Sequence, residues 1–96
     1  MSVIVHIPTL LRNLTQDLKR VEGAGRTVLE VIESIDRQHP GLKRRLVAEG
    51  RAHRFLNIYV NDDDIRFADD LATRVQPGDT LTILPAVAGG SAARAC

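Results

Sequence analysis

Thr27 and Glu30 stand three residues apart at the head of the one stretch with sustained helical spacing, Val28, Val31, Ile32 and Ile35. The pair has the form of a capping box, in which the threonine hydroxyl and the glutamate carboxylate satisfy each other's orphan backbone amides. The four apolar residues fall on one helical face. Pro40 disfavours helical geometry in the residue before it and Gly41 follows, so the helix is predicted to run to about His39. Beyond it, Leu42 and Leu46 lie four apart in the polar, basic stretch from Gly41 to Gly50, enough for a short amphipathic turn and no more. A chain of 96 residues is expected to form one domain around one core. With a single long helix, that core must be completed by strands, which makes the fold class α+β.

The strands are read from period-two alternation. Val3, Val5 and Ile7 alternate with Ile4 and His6 until Pro8 removes a ladder donor. Leu18 to Glu22 is predicted to pair with this strand across the loop Thr9 to Gln16, and Gly23-Ala24-Gly25 ends the pattern. Phe55 to Val60 alternates again, with Leu56, Ile58 and Val60 on one face. Asn61 to Asp64 turns the chain into a short strand, Ile65-Arg66-Phe67, and Gln76-Pro77-Gly78-Asp79 turns it into the last, Thr80 to Leu84, whose inward residues are Leu81 and Ile83. The order is strand, strand, helix, strand, short strand, strand. Placing the first and last strands side by side, with the helix across one face, gives a ubiquitin-like β-grasp with a mixed sheet. Residues 1–88 are assigned to this domain. Residues 89–96 are assigned to a flexible tail, because its small residues offer nothing to anchor a core.

Composition excludes several classes of function. The single thiol, Cys96, can form neither an internal disulfide nor a cysteine-based metal cluster, and a ferredoxin-type centre would take four thiolates. No metal site is expected. No apolar run approaches the ~20 residues of a membrane-spanning helix, and the N-terminus lacks a secretory signal pattern, so a cytoplasmic protein with no membrane association is expected. A net charge of +1 gives no global attraction to nucleic acid. The charge is nevertheless segregated: Arg37 to Arg54 holds six basic residues and one acid, whereas Asn61 to Asp70 holds five aspartates and one arginine. An RNA-binding role for the basic block is disfavoured, since no aromatics are interleaved before Phe55 and the acidic block opposes it.

No constellation in the body reads as an active site. His6, His39 and His53 are far apart; His6 fits an outward strand position, and His39 fits a helix C-terminus, where a cation meets the carbonyl end of the dipole. Cys96 is the last residue rather than fourth from the end, so it forms no prenylation box. The remaining candidate is Gly89-Gly90. A glycine pair alone usually marks a flexible linker, but this one follows shortly after the final strand.

The stretch His53-Arg54-Phe55-Leu56-Asn57-Ile58-Tyr59-Val60-Asn61-Asp62, with Arg66-Phe67, Leu71-Ala72-Thr73, Gly78-Asp79 and Leu81 to Gly90, resembles the MoaD/ThiS family of ubiquitin-like sulfur carriers, and within it the CysO type. The resemblance spans about Val3 to Gly90. It implies a carrier rather than an enzyme. The carboxylate of Gly90 would be adenylated by an E1-like adenylating and sulfurtransferase partner using ATP, then converted to a thiocarboxylate that donates sulfur. Gly90 would be the reactive residue, with Gly89 giving reach and slimness. The carrier itself would bind no cofactor. A PLP-dependent synthase supplying an activated serine derivative is the sulfur acceptor implied by the CysO type, for cysteine or another sulfur-containing metabolite.

One feature of this chain departs from that pattern. Such carriers normally stop at the glycine pair, whereas Ser91 to Cys96 follow here, and an internal amide cannot be adenylated as a free carboxylate can. The resemblance implies trimming after Gly90 by a JAMM-type zinc metalloprotease. The alternative reading is a ubiquitin-like modifier joined through Gly90 to lysines of other proteins. Sheet alternation adds a docking surface: with Leu56, Ile58, Val60, Leu81 and Ile83 inward, Phe55, Asn57, Tyr59, Thr82 and Leu84 face outward. Phe55, Tyr59 and Leu84 are its large groups and its partner-binding candidates. For Phe55, cover by the basic loop is weighed equally with exposure; for Tyr59, exposure is favoured.

Overall fold

The computed structural model describes residues 2–85. A five-stranded mixed sheet, ordered β2-β1-β7-β5-β6, is built from β1 (Val3–His6), β2 (Arg20–Gly23), β5 (Leu56–Val60), β6 (Asp63–Asp64) and β7 (Thr80–Pro85). The first and last strands run parallel, with Val5 beside Leu81; the other pairings are antiparallel. Helix α1 (Val28–Gln38) lies across one face and is followed by the single turn α2 (Leu42–Leu46). This is the ubiquitin-like β-grasp.

The inward residues read from alternation form the core. Val3, Val5, Ile58, Leu81 and Ile83 are buried against Val28, Val31, Ile32 and Ile35 of α1, and Leu42 and Leu46 of α2 close one end. Thr27 caps α1, its Oγ1 accepting from the Glu30 amide at 3.2 Å. The reciprocal half of the box is displaced by one residue: the Glu30 carboxylate accepts from the Arg26 amide rather than from that of Thr27. His39 is the C-cap, its amide donating to the Ile35 carbonyl. Asp36 secures the junction with α2, its Oδ1 accepting from the amides of Gly41 and Lys43.

The structure differs from the sequence reading at four places. The segment Thr9–Leu14 is a 3₁₀ helix rather than open loop, and Leu11 on it is buried. The second strand begins at Arg20 rather than Leu18, because Gln16 and Asp17 take left-handed backbone angles and Leu18 still belongs to that turn. Ile65–Phe67 is a 3₁₀ turn rather than a strand. The pairing residues are Asp63 and Asp64, and the Asp64 carboxylate accepts from the Arg66 amide at 2.9 Å, which bends the chain out of the ladder. Finally, β3 (Val47–Ala48) and β4 (Arg51–Ala52) form a small hairpin within the basic stretch, where no strand is expected.

Candidate functional site

The candidate surface is the outer face of the sheet where β7 ends. Register lines up Arg20, His6, Thr82, Tyr59 and Asp64 across all five strands, and Asn57 beside Leu84 in the next row toward the end of β7. Leu84 is 46% exposed. Tyr59 is half-buried between its neighbours rather than freely exposed. Phe55 lies just before β5, not on it, and is 57% exposed, so the basic loop does not cover it. Its ring is bordered by the Arg54 guanidinium and the His53 imidazole, both centred 5.3 Å away.

Phe55 is held where it is by Arg66. One guanidinium nitrogen, Nη2, donates to the carbonyls of Leu56 at 2.8 Å and Arg54 at 3.2 Å, with a longer contact to His53. Hydrogen bonds from a charged donor are among the stronger ones, so this clamp fixes the entry into β5. The segment preceding β5 is therefore ordered without being buried.

Two open depressions flank the end of β7. One, of about 760 Å³, runs between His6, Pro8, Arg12, Lys19 and Leu84. The other, of about 310 Å³, has Leu11 and Leu56 among its apolar lining and Arg44 and Arg45 beside them. Leu10, 51% exposed, lines both. The result is an apolar surface of Leu10, Phe55 and Leu84 surrounded by cations. Leu10 is absent from the sequence reading. Its signal is the doublet Leu10-Leu11, since neighbours on a 3₁₀ turn cannot both face the core.

Other motif residues serve the frame. The Asn61 side-chain carbonyl accepts from the Thr80 amide at 3.1 Å, and its Nδ2 donates to Asp79 Oδ1; Asp79 Oδ2 accepts from the Gln76 amide. Asn61 and Gly78 both have positive φ, which their turns require. His6 is exposed on β1, as expected of an outward strand residue. Among the described residues no group of three or more His, Cys, Asp or Glu could hold a metal ion, and no helix is long and apolar enough to cross a membrane. Gly89 and Gly90, the trimming point, the tail 91–96 and the domain boundary after residue 88 lie outside the described residues.

A family model for the ThiS family matches residues 5–90, from the first strand through the glycine pair. The chain belongs to the ThiS family. It is 48% identical over 93 residues to the sulfur carrier protein CysO of Mycobacterium tuberculosis, an alignment that covers all of that protein and 94% of this chain. A solved complex of BexX and CysO from Amycolatopsis orientalis contains a chain that superposes with a TM-score of 0.87 at 57% identity, covering 92% of this chain and 99% of that one. More distantly, small archaeal modifier protein 3 of Haloferax volcanii is 33% identical over 64 residues, covering 67% of this chain and 70% of that protein. The chain is thus a homologue of sulfur carrier proteins, which are small ubiquitin-like carriers rather than enzymes.

Proposed function

We propose that this protein is a sulfur carrier that works through Gly90. The observation that carries the reading is the family match, which runs through Gly89-Gly90 and ends there, a few residues after β7 on a β-grasp body. On this reading a JAMM-type metalloprotease removes residues 91–96. The freed Gly90 carboxylate attacks the α-phosphate of ATP on an E1-like partner and expels pyrophosphate. A sulfur nucleophile then displaces AMP to leave the thiocarboxylate. Two glycines suit this task because a chain without Cβ atoms can thread a narrow channel and adopt positive φ. ATP belongs to the activating partner, and the carrier needs no resident cofactor. The thiocarboxylate passes its sulfur to a substrate held by a PLP-dependent synthase, for cysteine or another sulfur-containing metabolite.

Phe55, Tyr59 and Leu84 form the proposed docking face for the activating partner. They lie around the strand that leads to the glycine pair, so a partner gripping them receives the tail directly. Leu10 adds to the same surface.

The experiment compares the full chain with a form ending at Gly90, each incubated with the E1-like enzyme and ATP while pyrophosphate release is followed. Release from the trimmed form alone is expected; equal rates would overturn the precursor reading. A second reading, a ubiquitin-like modifier conjugated through Gly90, draws on the archaeal modifier relative. Mass spectrometry separates the two. A carrier gains the mass difference between sulfur and oxygen, whereas a modifier appears as an adduct on another protein.

A further inference from the structure

Phe67 stands 91% exposed, the most exposed of the large apolar side chains described. It is not on a loose loop. Asp64 caps the turn that carries it, the Ala68 amide donates to the Ile65 carbonyl, and the neighbouring Arg66 is clamped onto the segment before β5. An aromatic ring held in water on an ordered turn is the kind of group that anchors an interface. In the same segment, within five residues of it, Asp62, Asp63 and Asp69 are exposed, while Asp64 and Asp70 are engaged by the amides of Arg66 and Ala52.

The same molecule carries a complementary feature. The 310 Å³ depression between the Thr9–Leu14 turn, α2 and the start of β5 is floored by Leu10, Leu11 and Leu56, with the exposed Arg44 and Arg45 beside it. Its volume is at the lower end for a ligand-sized cavity, suited to one aromatic side chain. Among the described residues the only ion pair is Lys43 with Glu33, so these arginines and the three exposed aspartates all lack an ionic partner there.

We propose that the depression receives Phe67 of a second copy of this chain, with Asp62, Asp63 and Asp69 of that copy meeting Arg44 and Arg45. Arg66, the residue before Phe67, donates to the carbonyl of Leu56, which lines the depression, so the turn that carries the ring is tied to the rim of the depression on each molecule. That proximity lets two copies close reciprocally as a two-fold dimer. A contact this small falls below the standard interface size, so the dimer is weak and transient. It covers Phe55 and so competes for the surface proposed above for the activating partner. The proposal itself does not depend on the sulfur-carrier reading.

Sedimentation velocity on the full chain, from roughly 10 μM to 1 mM, tests it. Wild type is expected to shift from monomer toward dimer across that range, with weaker association at high salt. Phe67→Ala and the double variant Arg44→Glu/Arg45→Glu should each associate at least tenfold more weakly while keeping the wild-type melting temperature, since all three side chains are exposed. An equimolar mixture of the two variants should associate more than the arginine double variant alone, because the mixed dimer restores one of the two reciprocal contacts, an intact depression on one copy and an intact ring on the other. A wild-type chain that stays monomeric throughout would leave these surfaces to a different protein and overturn the proposal. So would a Phe67→Ala chain that dimerises like wild type, or a mixture that associates no more than the arginine double variant alone.

Discussion

Ile58 and Tyr59 are adjacent on β5 yet face opposite sides of the sheet, and substituting each by alanine separates folding from docking. Ile58 is 1% exposed, beside Ile83 on the central part of the sheet under α1. Ile58→Ala removes three carbons, or about 2.4 kcal/mol of transfer free energy at ~0.8 kcal/mol per methylene. The cavity left in a close-packed core raises the cost to about 3–4 kcal/mol, within the range for such truncations. For a domain of this size that lowers the melting temperature by roughly 12–30 °C. Tyr59 is half-buried between Thr82 and Asp64 on the outer face, so Tyr59→Ala should cost only about 1–1.5 kcal/mol. Its main effect should be on activation, with partner-dependent pyrophosphate release from the trimmed form falling by tenfold or more. Urea unfolding measures the first effect and the activation assay the second. If Ile58→Ala were nearly neutral and Tyr59→Ala unfolded the domain, the assignment of the two sheet faces would be wrong, and the docking surface with it.

Thr27→Ala deletes the oxygen that accepts from the Glu30 amide and should cost about 1 kcal/mol by urea unfolding, with Thr27→Ser restoring most of it. Gly25→Ala should cost more, roughly 1–3 kcal/mol, because a Cβ there would sit 2.6 Å from Glu30 Cβ and 2.8 Å from the Val31 amide nitrogen. The start of α1 would have to shift, and hydrogen exchange localised to that turn would report it. Gly90→Val, introduced into the form ending at residue 90, should abolish thiocarboxylate formation while leaving the urea midpoint unchanged; a large fall in stability would show that the tail belongs to the fold.

Legibility in the sequence followed the strength of the local signal. Strands β1, β5 and β7 and helix α1 are each marked by periodicity that decides which residues are buried, and Val5, Ile58 and Leu81 lie where alternation puts them. The β3–β4 hairpin leaves no such mark, because each strand has two residues, too few to show a period. Its turn residues, Glu49 and Gly50, both take positive φ as a two-residue hairpin loop demands, but glutamate is not a residue that announces such a turn. The strand expected at Ile65–Phe67 failed for a related reason: an aspartate side chain competing for the backbone outweighs a three-residue apolar pattern. Gly23-Ala24-Gly25 reads in sequence as a simple break. In space both glycines are points of close approach, where a Cβ would press on Val31 and Ile35 or on the first turn of α1.

The motif residues divide by what they touch, and that division bears on how a carrier of this kind is built. Asn61, Asp79, Asp36, Asp70 and Arg66 all spend their polar side chains on backbone groups of loops or strand ends. A small domain buries too little apolar surface to hold long connections by packing alone, so side-chain bonds to the backbone take over that role. The clamp by Arg66 shows the functional consequence: it acts on the segment that carries Phe55, yet its own guanidinium is turned toward carbonyls rather than toward a partner. Such residues act as positioning groups, and their loss should loosen the docking surface before it unfolds the core. The docking face proposed here uses instead the side chains left over, the exposed Leu10, Phe55 and Leu84 and the half-buried Tyr59, none of which is spent on holding the backbone. Since adenylation on the proposed route happens at Gly90, beyond the last strand, the body's contribution is geometric. It must offer these groups at a fixed distance from the exit of β7, and a rigid frame does so with little ordering left to be done on binding.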